Sequence, residues 1–113
     1  MQTVSVLDMI EFADKRRVRK KILSESLLEA ELVCYEPGQG TREHFHKEQE
    51  EIYYIVEGSG SITIDGETTD VQAGDMVFSP ADVPHSIAAG DERMVMFFVK
   101  GPGRGAANIG GEA

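Results

Sequence analysis

The feature that most constrains the fold is an apolar repeat of about two residues, which turn-forming residues interrupt at short intervals. Apolar and polar residues alternate in the segments 28–34 and 61–64. Because successive side chains of a strand point to opposite faces, this alternation is typical of β-strands. Glycine, proline and aspartate break the pattern at residues 37–40, 58–60, 65–66, 73–75, 80–84 and 90–91. Short strands at this spacing, with no helix-length amphipathic segment between them, predict an antiparallel sandwich or small barrel.

One of these breaks also predicts its own backbone geometry. Asp65-Gly66 lies between two strand-like segments, residues 61–64 and 67–71. A two-residue type I′ turn needs positive φ at both positions, and Asp-Gly is among the pairs that tolerate this best. We therefore predict a tight hairpin at Asp65-Gly66.

The composition limits the number of domains and the class of protein. The chain has 113 residues, of which 41% are hydrophobic and 27% charged, the balance of a globular protein. Two separate cores would each fall below about 60 residues, where burial becomes marginal, so we expect a single domain. The longest apolar run, residues 94–99, is far shorter than the roughly 20 residues that span a bilayer. The single cysteine, Cys34, excludes an intrachain disulfide, and without an export signal we expect a cytoplasmic location.

The charge distribution argues against a nucleic-acid partner. The net charge is −9, which opposes binding to phosphates, although six of the eleven bases cluster in residues 15–21. The cluster lacks interleaved aromatic residues and any recognisable nucleic-acid motif, while Val18 and Ile22 continue the alternation through it. We interpret it as a solvated or edge strand whose lysines and arginines oppose aggregation.

The two ends of the chain differ from its middle. Leu7, Ile10 and Phe12 predict a short amphipathic turn, and we expect residues 1–24 to form an N-terminal segment and edge strand packed on a barrel of residues 25–100. Residues 101–113 contain five glycines and a proline with little apolar material, which predicts a flexible tail.

Two strand-like segments, residues 52–56 and 94–99, are apolar at consecutive positions. A barrel strand needs only one apolar face, so the second face should be covered by another layer or another subunit. We predict a homodimer, with the N-terminal segment as the alternative cover.

The three histidines, His44, His46 and His85, are candidate metal ligands. On a strand, the His-x-His spacing directs two imidazoles to the same side. A hairpin after His46 would bring Glu50 or Glu51 back beside the pair and add a hard oxygen donor.

Two spacing patterns around these residues resemble the motifs of the cupin superfamily. The first motif is glycine, five residues, His-x-His, three or four residues, glutamate, six residues and glycine, and this chain fills it with Gly38, His44, His46, Glu51 and Gly58. The second motif is glycine, five residues, Pro-x-Gly, two residues, histidine, three residues and asparagine. This chain matches it at Gly74, Pro80 and His85, with Asp82 for the glycine and Ala89 for the asparagine. Aspartate tolerates left-handed φ, and Ala89 leaves the metal ligands untouched.

This resemblance, which covers about residues 37–99, implies an all-β, double-stranded β-helix (jelly-roll) cupin barrel in a single domain. It implies His44, His46, Glu51 and His85 as metal ligands. Glu50 is the rival carboxylate, but six residues before Gly58 selects Glu51. Such a ligand set suits a divalent metal ion (Mn²⁺, Fe²⁺, Ni²⁺, Co²⁺ or Zn²⁺).

Parity on the strand that follows places Tyr53 and Ile55 on the cavity side. Arg42 lies two residues before His44 and shares its face, so Arg42 and Tyr53 are candidates for contact with a substrate. We expect some of the apolar residues Met76, Phe78, Met96 and Phe98 to line the cavity as core. Cys34 is interpreted as a small buried residue that points into the barrel, on the parity of Ala30 and Leu32.

Three imidazoles and one carboxylate around a divalent ion leave about one positive charge, which favours a small, anionic, oxygen-rich ligand. We predict a metal-dependent enzyme acting on a carboxylate, enol or sugar-derived substrate that chelates the metal, by dioxygenase, isomerase, lyase or decarboxylase chemistry. The alternatives are a non-catalytic binding or sensory module and a structural metal site. The cupin superfamily includes enzymes, storage proteins and regulators, so the resemblance does not choose among them.

Overall fold

Seven β-strands form the structure, a computed structural model that describes residues 1–103. They are β1 Val18–Ser24, β2 Glu29–Tyr35, β3 Gly40–His44, β4 Glu50–Ile64, β5 Glu67–Gln72, β6 Met76–Ser79 and β7 His85–Gly101. A short 3₁₀ helix, Val6–Met9, precedes them. Within the described residues, no helix is long and apolar enough to cross a membrane.

The two long strands, β4 and β7, form the centre of the fold. The strand order is β1-β2-β7-β4-β5, with β3 also paired to β7 and β6 to β4, and all pairs are antiparallel. One half of β7 therefore pairs with β3 and the other half with β2, so the sheet wraps around a common interior. This is the predicted all-β double-stranded β-helix in a single domain.

Both long strands continue through positions where the sequence predicted strand ends. β4 runs through residues 58–60 and β7 through residues 90–91. Register shifts in β4 on either side of Gly58 mark irregularities of the kind a bulge produces. Gly58 has a φ of +80°, and a Cβ there would overlap the carbonyl oxygen of Arg93. Glycine at this position lets the strand bend without ending.

The Asp65-Gly66 hairpin is confirmed. Asp65 and Gly66 have φ values of 50° and 82°, and the flanking residues Ile64 and Glu67 are paired in the ladder. Positive φ at both central residues is the signature of the predicted type I′ turn.

The hydrophobic residues form two clusters on the two sides of the sheet. The inner cluster fills the barrel and contains Val33, Tyr35, Tyr53, Ile55, Ile62, Val71, Ile87, Ala89, Met94, Met96 and Phe98. In the outer cluster, Val6, Met9, Ile10 and Phe12 of the N-terminal segment pack against a second set, Leu32, Cys34 and Val95. Leu7 is 64% exposed, so its predicted contact is wrong, whereas Ile10 and Phe12 do pack.

Strand β2 faces opposite to the prediction. Val33 and Tyr35 belong to the inner cluster, so Cys34 points outward beneath the N-terminal segment rather than into the barrel. All seven residues of β2 are buried. The alternation of polar and apolar residues predicted the wrong facing because Glu29 and Glu31, although charged, are buried with polar partners.

The N-terminal segment covers the outer side of β2 and part of β7. This segment was the alternative to a second subunit as a cover for the apolar strands. A different outer surface remains exposed. Ile52 and Tyr54 of β4 pair in register with Phe78 and Met76 of β6, and these four side chains are each 45–61% exposed. We refer to these four residues as the outer patch.

The barrel extends slightly beyond residue 100. Gly101 pairs with Glu50 as the last residue of β7, and Gly103 is buried. Residues 104–113, most of the predicted tail, lie outside the described part of the chain.

Candidate metal centre

The three histidines converge from two strands and the loop between β3 and β4. His44 ends β3 and His85 begins β7, and the two residues face each other in the ladder. His46 lies just beyond β3 rather than on it, so the His-x-His pair is not contained in a regular strand. The imidazole centroids are nonetheless 4.9 Å apart for His44 and His46, 4.3 Å for His44 and His85, and 5.4 Å for His46 and His85.

The ring nitrogens of these histidines lie close enough to share one ion. One nitrogen from each of His44, His46 and His85 lies within 4.8 Å of the others. The Nε2 atoms of His44 and His85 are 3.1 Å apart. Three imidazole nitrogens at this spacing could hold a metal ion.

Hydrogen bonds on the far side of two rings favour the tautomer that a metal requires. His44 Nδ1 lies 2.7 Å from the carbonyl oxygen of Arg42, and because a carbonyl only accepts, Nδ1 carries the proton. His85 Nδ1 lies 3.4 Å from the hydroxyl of buried Ser79, which can accept from it. The Nε2 lone pairs then face each other, an arrangement that a cation between them stabilises.

Glu51 supplies a carboxylate to the same place. It is 3% exposed, whereas its rival Glu50 points outward. Its Oε1 lies 2.9 Å from His46 Nε2 and 3.8 Å from His85 Nε2. This oxygen is buried, with the His46 imidazole and the Tyr53 hydroxyl as its polar neighbours. A buried carboxylate oxygen is costly unless it is paired, so a cation fits this position.

The ionisation of these groups suits cation binding. Burial, the largest influence, raises the pKa of Glu51, but the nearby His46 and Tyr53 outweigh it and hold the pKa below its ordinary value. Burial lowers the pKa of His85, against the opposing effect of Glu51. The site therefore presents an ionised carboxylate and a neutral imidazole at neutral pH.

Tyr53 and Arg42 border the same pocket in different ways. Tyr53 is 1% exposed, on the same face of β4 as Glu51 and Ile55, and its buried hydroxyl lies beside Glu51 and Ser79. Burial, followed by the charge of Glu51, raises the pKa of Tyr53, so its hydroxyl stays protonated. Arg42 is exposed on β3.

His44 and His46 line a pocket of about 350 Å³ inside the barrel. Its apolar wall includes Met96 and Phe98, as expected, whereas Met76 and Phe78 lie on the outer patch. Arg17, Arg19 and Lys100 also line it. The sequence interpretation missed Arg17 and Arg19 because it treated the cluster 15–21 as a solvated edge. β1 does lie at the edge of the strand order, but one of its faces looks into the pocket.

The two departures from the second motif have structural explanations. Asp82 has a φ of 66°, the left-handed conformation that glycine would adopt. Its carboxylate accepts from the Glu48 backbone at 2.9 Å, and its own N–H donates to the His46 carbonyl at 3.2 Å. Asp82 thus anchors the loop that carries His46. Ala89 is buried in the inner cluster.

The fold is a small β-barrel, and a cluster of histidines and a carboxylate lies at one end of its pocket. These two features together define the class of protein. The family model for the cupin domain matches residues 31–100, and the chain belongs to this family.

Sequence relatives match parts of the barrel. An uncharacterized protein from Methanocaldococcus jannaschii is 42% identical over 67 residues, which are 59% of this chain and 51% of that protein. The dimethylsulfoniopropionate lyase DddW of Ruegeria pomeroyi is 41% identical over 56 residues, 50% of this chain and 36% of the lyase. The chain thus spans about half, or less, of the length of the curated relatives it matches.

Solved structures share the whole fold. TT1209 from Thermus thermophilus superposes with a TM-score of 0.85 at 19% identity, covering 90% of this chain and 98% of that one. A predicted oxalate decarboxylase from Thermotoga maritima gives a TM-score of 0.70 at 26% identity, covering 74% and 78% of the two chains.

Proposed function

We propose that this protein is a metal-dependent enzyme that acts on a small carboxylate, with His44, His46, Glu51 and His85 as the ligands of one divalent ion. One observation carries the proposal. The Nε2 atoms of His44 and His85 face each other at 3.1 Å, beside a buried Glu51 oxygen that lies 2.9 Å from His46 Nε2. A shared cation accounts for both features.

The donor set narrows the ion without identifying it. Three nitrogens and one carboxylate oxygen, with Cys34 on the other side of the sheet, suit Mn²⁺, Fe²⁺, Ni²⁺, Co²⁺ or Zn²⁺. When bound, such an ion supplies a Lewis acid for a substrate oxygen. The remaining charge of about one positive unit favours an anionic substrate.

The residues of the chain would orient and protect the substrate. Tyr53, whose raised pKa keeps it protonated, is a hydrogen-bond donor beside the Glu51 carboxylate. It would donate to a substrate oxygen next to the metal ligands. Val33, Ile87 and Phe98 line the pocket and would exclude water from the reacting group. Arg42 would pair with a carboxylate at the opening.

Two similar proteins support a carboxylate substrate. The names of the Ruegeria lyase and the Thermotoga predicted decarboxylase both refer to carboxylates, dimethylsulfoniopropionate and oxalate. Lyase or decarboxylase chemistry is therefore the reaction class that we favour within the broader proposal.

A substrate screen tests the enzyme proposal. Metal-loaded protein would be incubated with small mono-, di-, hydroxy- and keto-carboxylates, and the products followed by NMR. We expect at least one acid to be consumed by the wild type and by Glu50→Gln, and none by His85→Ala or after chelation. Binding without consumption of any acid would contradict catalysis and support the binding-module alternative.

We also propose a homodimer formed through the outer patch. Its four apolar side chains lie together on β4 and β6, and a patch of this kind is a common site of association. In a chain of net charge −9, self-association is least opposed where a face is uncharged.

Sedimentation of the wild type and of Phe78→Glu tests the dimer. We expect a dimer for the wild type and a monomer for the variant, while Leu7→Glu, at an exposed apolar residue outside the patch, stays dimeric. A monomeric wild type would rule out the dimer, and a dimeric Phe78→Glu would rule out this interface.

A further inference from the structure

The pocket concentrates positive charge in an acidic protein. The chain has eleven lysines and arginines and a net charge of −9. Four of these bases line the histidine pocket: Arg17, Arg19, Arg42 and Lys100. Among residues 1–103, only two acids line it, Glu43 and the candidate ligand Glu51. A local excess of cations against the overall charge points to a negatively charged ligand.

The pairing of β1 with β2 explains how bases of the N-terminal part reach the pocket. Arg19 lies opposite Val33 in the ladder, and residues that face each other in a ladder project to the same side. Val33 belongs to the inner cluster, so Arg19 also projects inward. Arg17 precedes β1 and lines the same pocket. Lys20 lies on the opposite face and pairs with Glu11 at 2.8 Å.

The four bases differ in whether they already have a partner. Arg19 makes two hydrogen bonds to the carboxylate of Glu31, at 3.1 and 3.2 Å, so its charge is already compensated. Lys100 is buried beside Phe98. Within residues 1–103, neither Arg17 nor Arg42 forms an ion pair.

A hydrogen bond between β2 and β3 links the surroundings of these two arginines. The Tyr35 hydroxyl and the Thr41 hydroxyl are 2.8 Å apart, and Thr41 is adjacent to Arg42. Arg17 acts on the same tyrosine. Burial raises the pKa of Tyr35 to about 12, and the positive charge of Arg17 is among the effects that oppose this rise. Arg17, Tyr35, Thr41 and Arg42 all line this one pocket.

We propose that Arg17 and Arg42 form an anion subsite in this pocket, separate from the metal ligands, and that the ligand is a small dianion such as a dicarboxylate. One acidic group would bind at the metal centre, a step that rests on the proposed function, and the other would pair with the two guanidinium groups. Guanidinium groups bind carboxylates through paired, charge-assisted hydrogen bonds. A volume of about 350 Å³ suits a small molecule.

Paired ligands of similar length separate this subsite from the metal end. Metal-loaded protein would be titrated calorimetrically with succinate and glutarate, and with the matched monoacids butyrate and valerate. We expect Arg17→Gln and Arg42→Gln each to weaken dicarboxylate binding by about tenfold, since each removes a charge-assisted contact. Monoacid binding should change less than about twofold, because a single carboxylate needs only the metal end.

Arg16→Gln is the matched control. Arg16 is exposed, is adjacent to Arg17 and does not line the pocket, and its substitution changes the net charge by the same amount. It should leave all four affinities within about twofold, since an exposed charge acts weakly at a distance. Arg17→Gln behaving like Arg16→Gln would overturn the subsite, as would equal losses for mono- and dicarboxylates or a wild type that binds neither dicarboxylate.

The metal content of every variant keeps the two proposals distinguishable. We expect it to stay at the wild-type level in the arginine variants, because neither arginine is a ligand. If the wild type binds no metal but still binds dicarboxylates in a manner that depends on Arg17 and Arg42, the proposed function fails and the subsite stands. If the metal is present and dicarboxylate affinity ignores both arginines, the subsite fails and the metal centre stands.

Discussion

Two cavities of residues 1–103 differ in chemistry, and the larger of the two has the less specific chemistry. A groove of about 740 Å³ lies between β4, β5 and β7, against about 350 Å³ for the histidine pocket. Among the described residues, the groove is lined by four acids, Asp70, Asp75, Asp91 and Glu92, and by no histidine, lysine or arginine. The larger volume therefore does not identify the cavity that is better suited to a metal ion.

The acids of the two cavities differ in how their oxygens are paired. In the groove, Asp75 accepts from the backbone of Gln72 at 2.8 Å, and Glu92 accepts from Ser59 at 2.9 Å. In the pocket, a buried oxygen of Glu51 lies 2.9 Å from His46 Nε2, and three imidazoles cluster around it. A buried carboxylate among imidazoles suits a cation, whereas solvated carboxylates that already accept hydrogen bonds do not need one.

Removal of a histidine should have the largest effect on metal affinity, the property that we expect to separate the two cavities. We expect His44→Ala and His85→Ala to lose metal affinity by more than the roughly 10–100-fold that loss of an outer-shell partner costs, because each removes a direct donor. Equilibrium dialysis against Co²⁺ or Zn²⁺ measures this. The double variant Asp70→Asn, Asp91→Asn in the groove is the control and should retain wild-type affinity. A larger loss from the groove variant would reverse the assignment of the two cavities.

The two adjacent glutamates provide the next contrast. Glu51→Gln keeps the size of the side chain but removes its charge, so we expect metal affinity to fall by about 10–100-fold. Glu50→Gln should change it less than about twofold, because Glu50 points outward and its charge is screened by solvent. The same dialysis compares them. If Glu50→Gln is the more damaging change, then the facing of β4 in this account is wrong.

A substitution at Gly58, a glycine of the first motif, tests the stability of the fold rather than metal binding. Gly58→Ala should lower the free energy of unfolding by at least about 2 kcal/mol more than Gly66→Ala, because a Cβ at Gly58 would overlap the Arg93 carbonyl. At Gly66 nothing lies within 4 Å of the added Cβ, so only the cost of positive φ, about 1–2 kcal/mol, applies. Urea unfolding measures both. Equal losses would show that β4 is free to relax at its bend.

Cys34 should give the smallest effect. It is 1% exposed beneath the N-terminal segment, and burial raises the pKa of its thiol. A raised pKa leaves less thiolate at any given pH, so we expect native protein at pH 8 to react slowly with a thiol reagent, and unfolded protein to react fast. Cys34→Ala should leave metal affinity unchanged. Fast native labelling that displaces metal would place the thiol at the pocket instead.

The spacing of a few residues was enough to predict much of the fold and of the histidine cluster. The interval from Gly58 selected Glu51, and strand parity then placed Tyr53 and Ile55 inside, as the structure has them. Such parity is reliable on β4 because its inner and outer faces differ in burial.

Other features depend on tertiary contacts that a pattern does not contain. Both faces of β2 are buried, so polarity along it did not distinguish the barrel interior from the side covered by the N-terminal segment. The inward projection of Arg19 depends on the pairing of β1 with β2, and the sequence around it looks like any charged edge strand. In the sequence, the bend at Gly58 looks like a turn, because glycine is common both in turns and at bends within a strand.

X-ray absorption of protein purified without an affinity tag would show directly whether three histidines and Glu51 hold one metal ion. We predict about one ion per chain, with a first shell of nitrogen and oxygen that includes imidazole scattering and excludes sulfur. His85→Ala should lose the ion. A wild type that takes up no divalent metal, or a metal whose first shell contains the sulfur of Cys34, would rule out this metal centre.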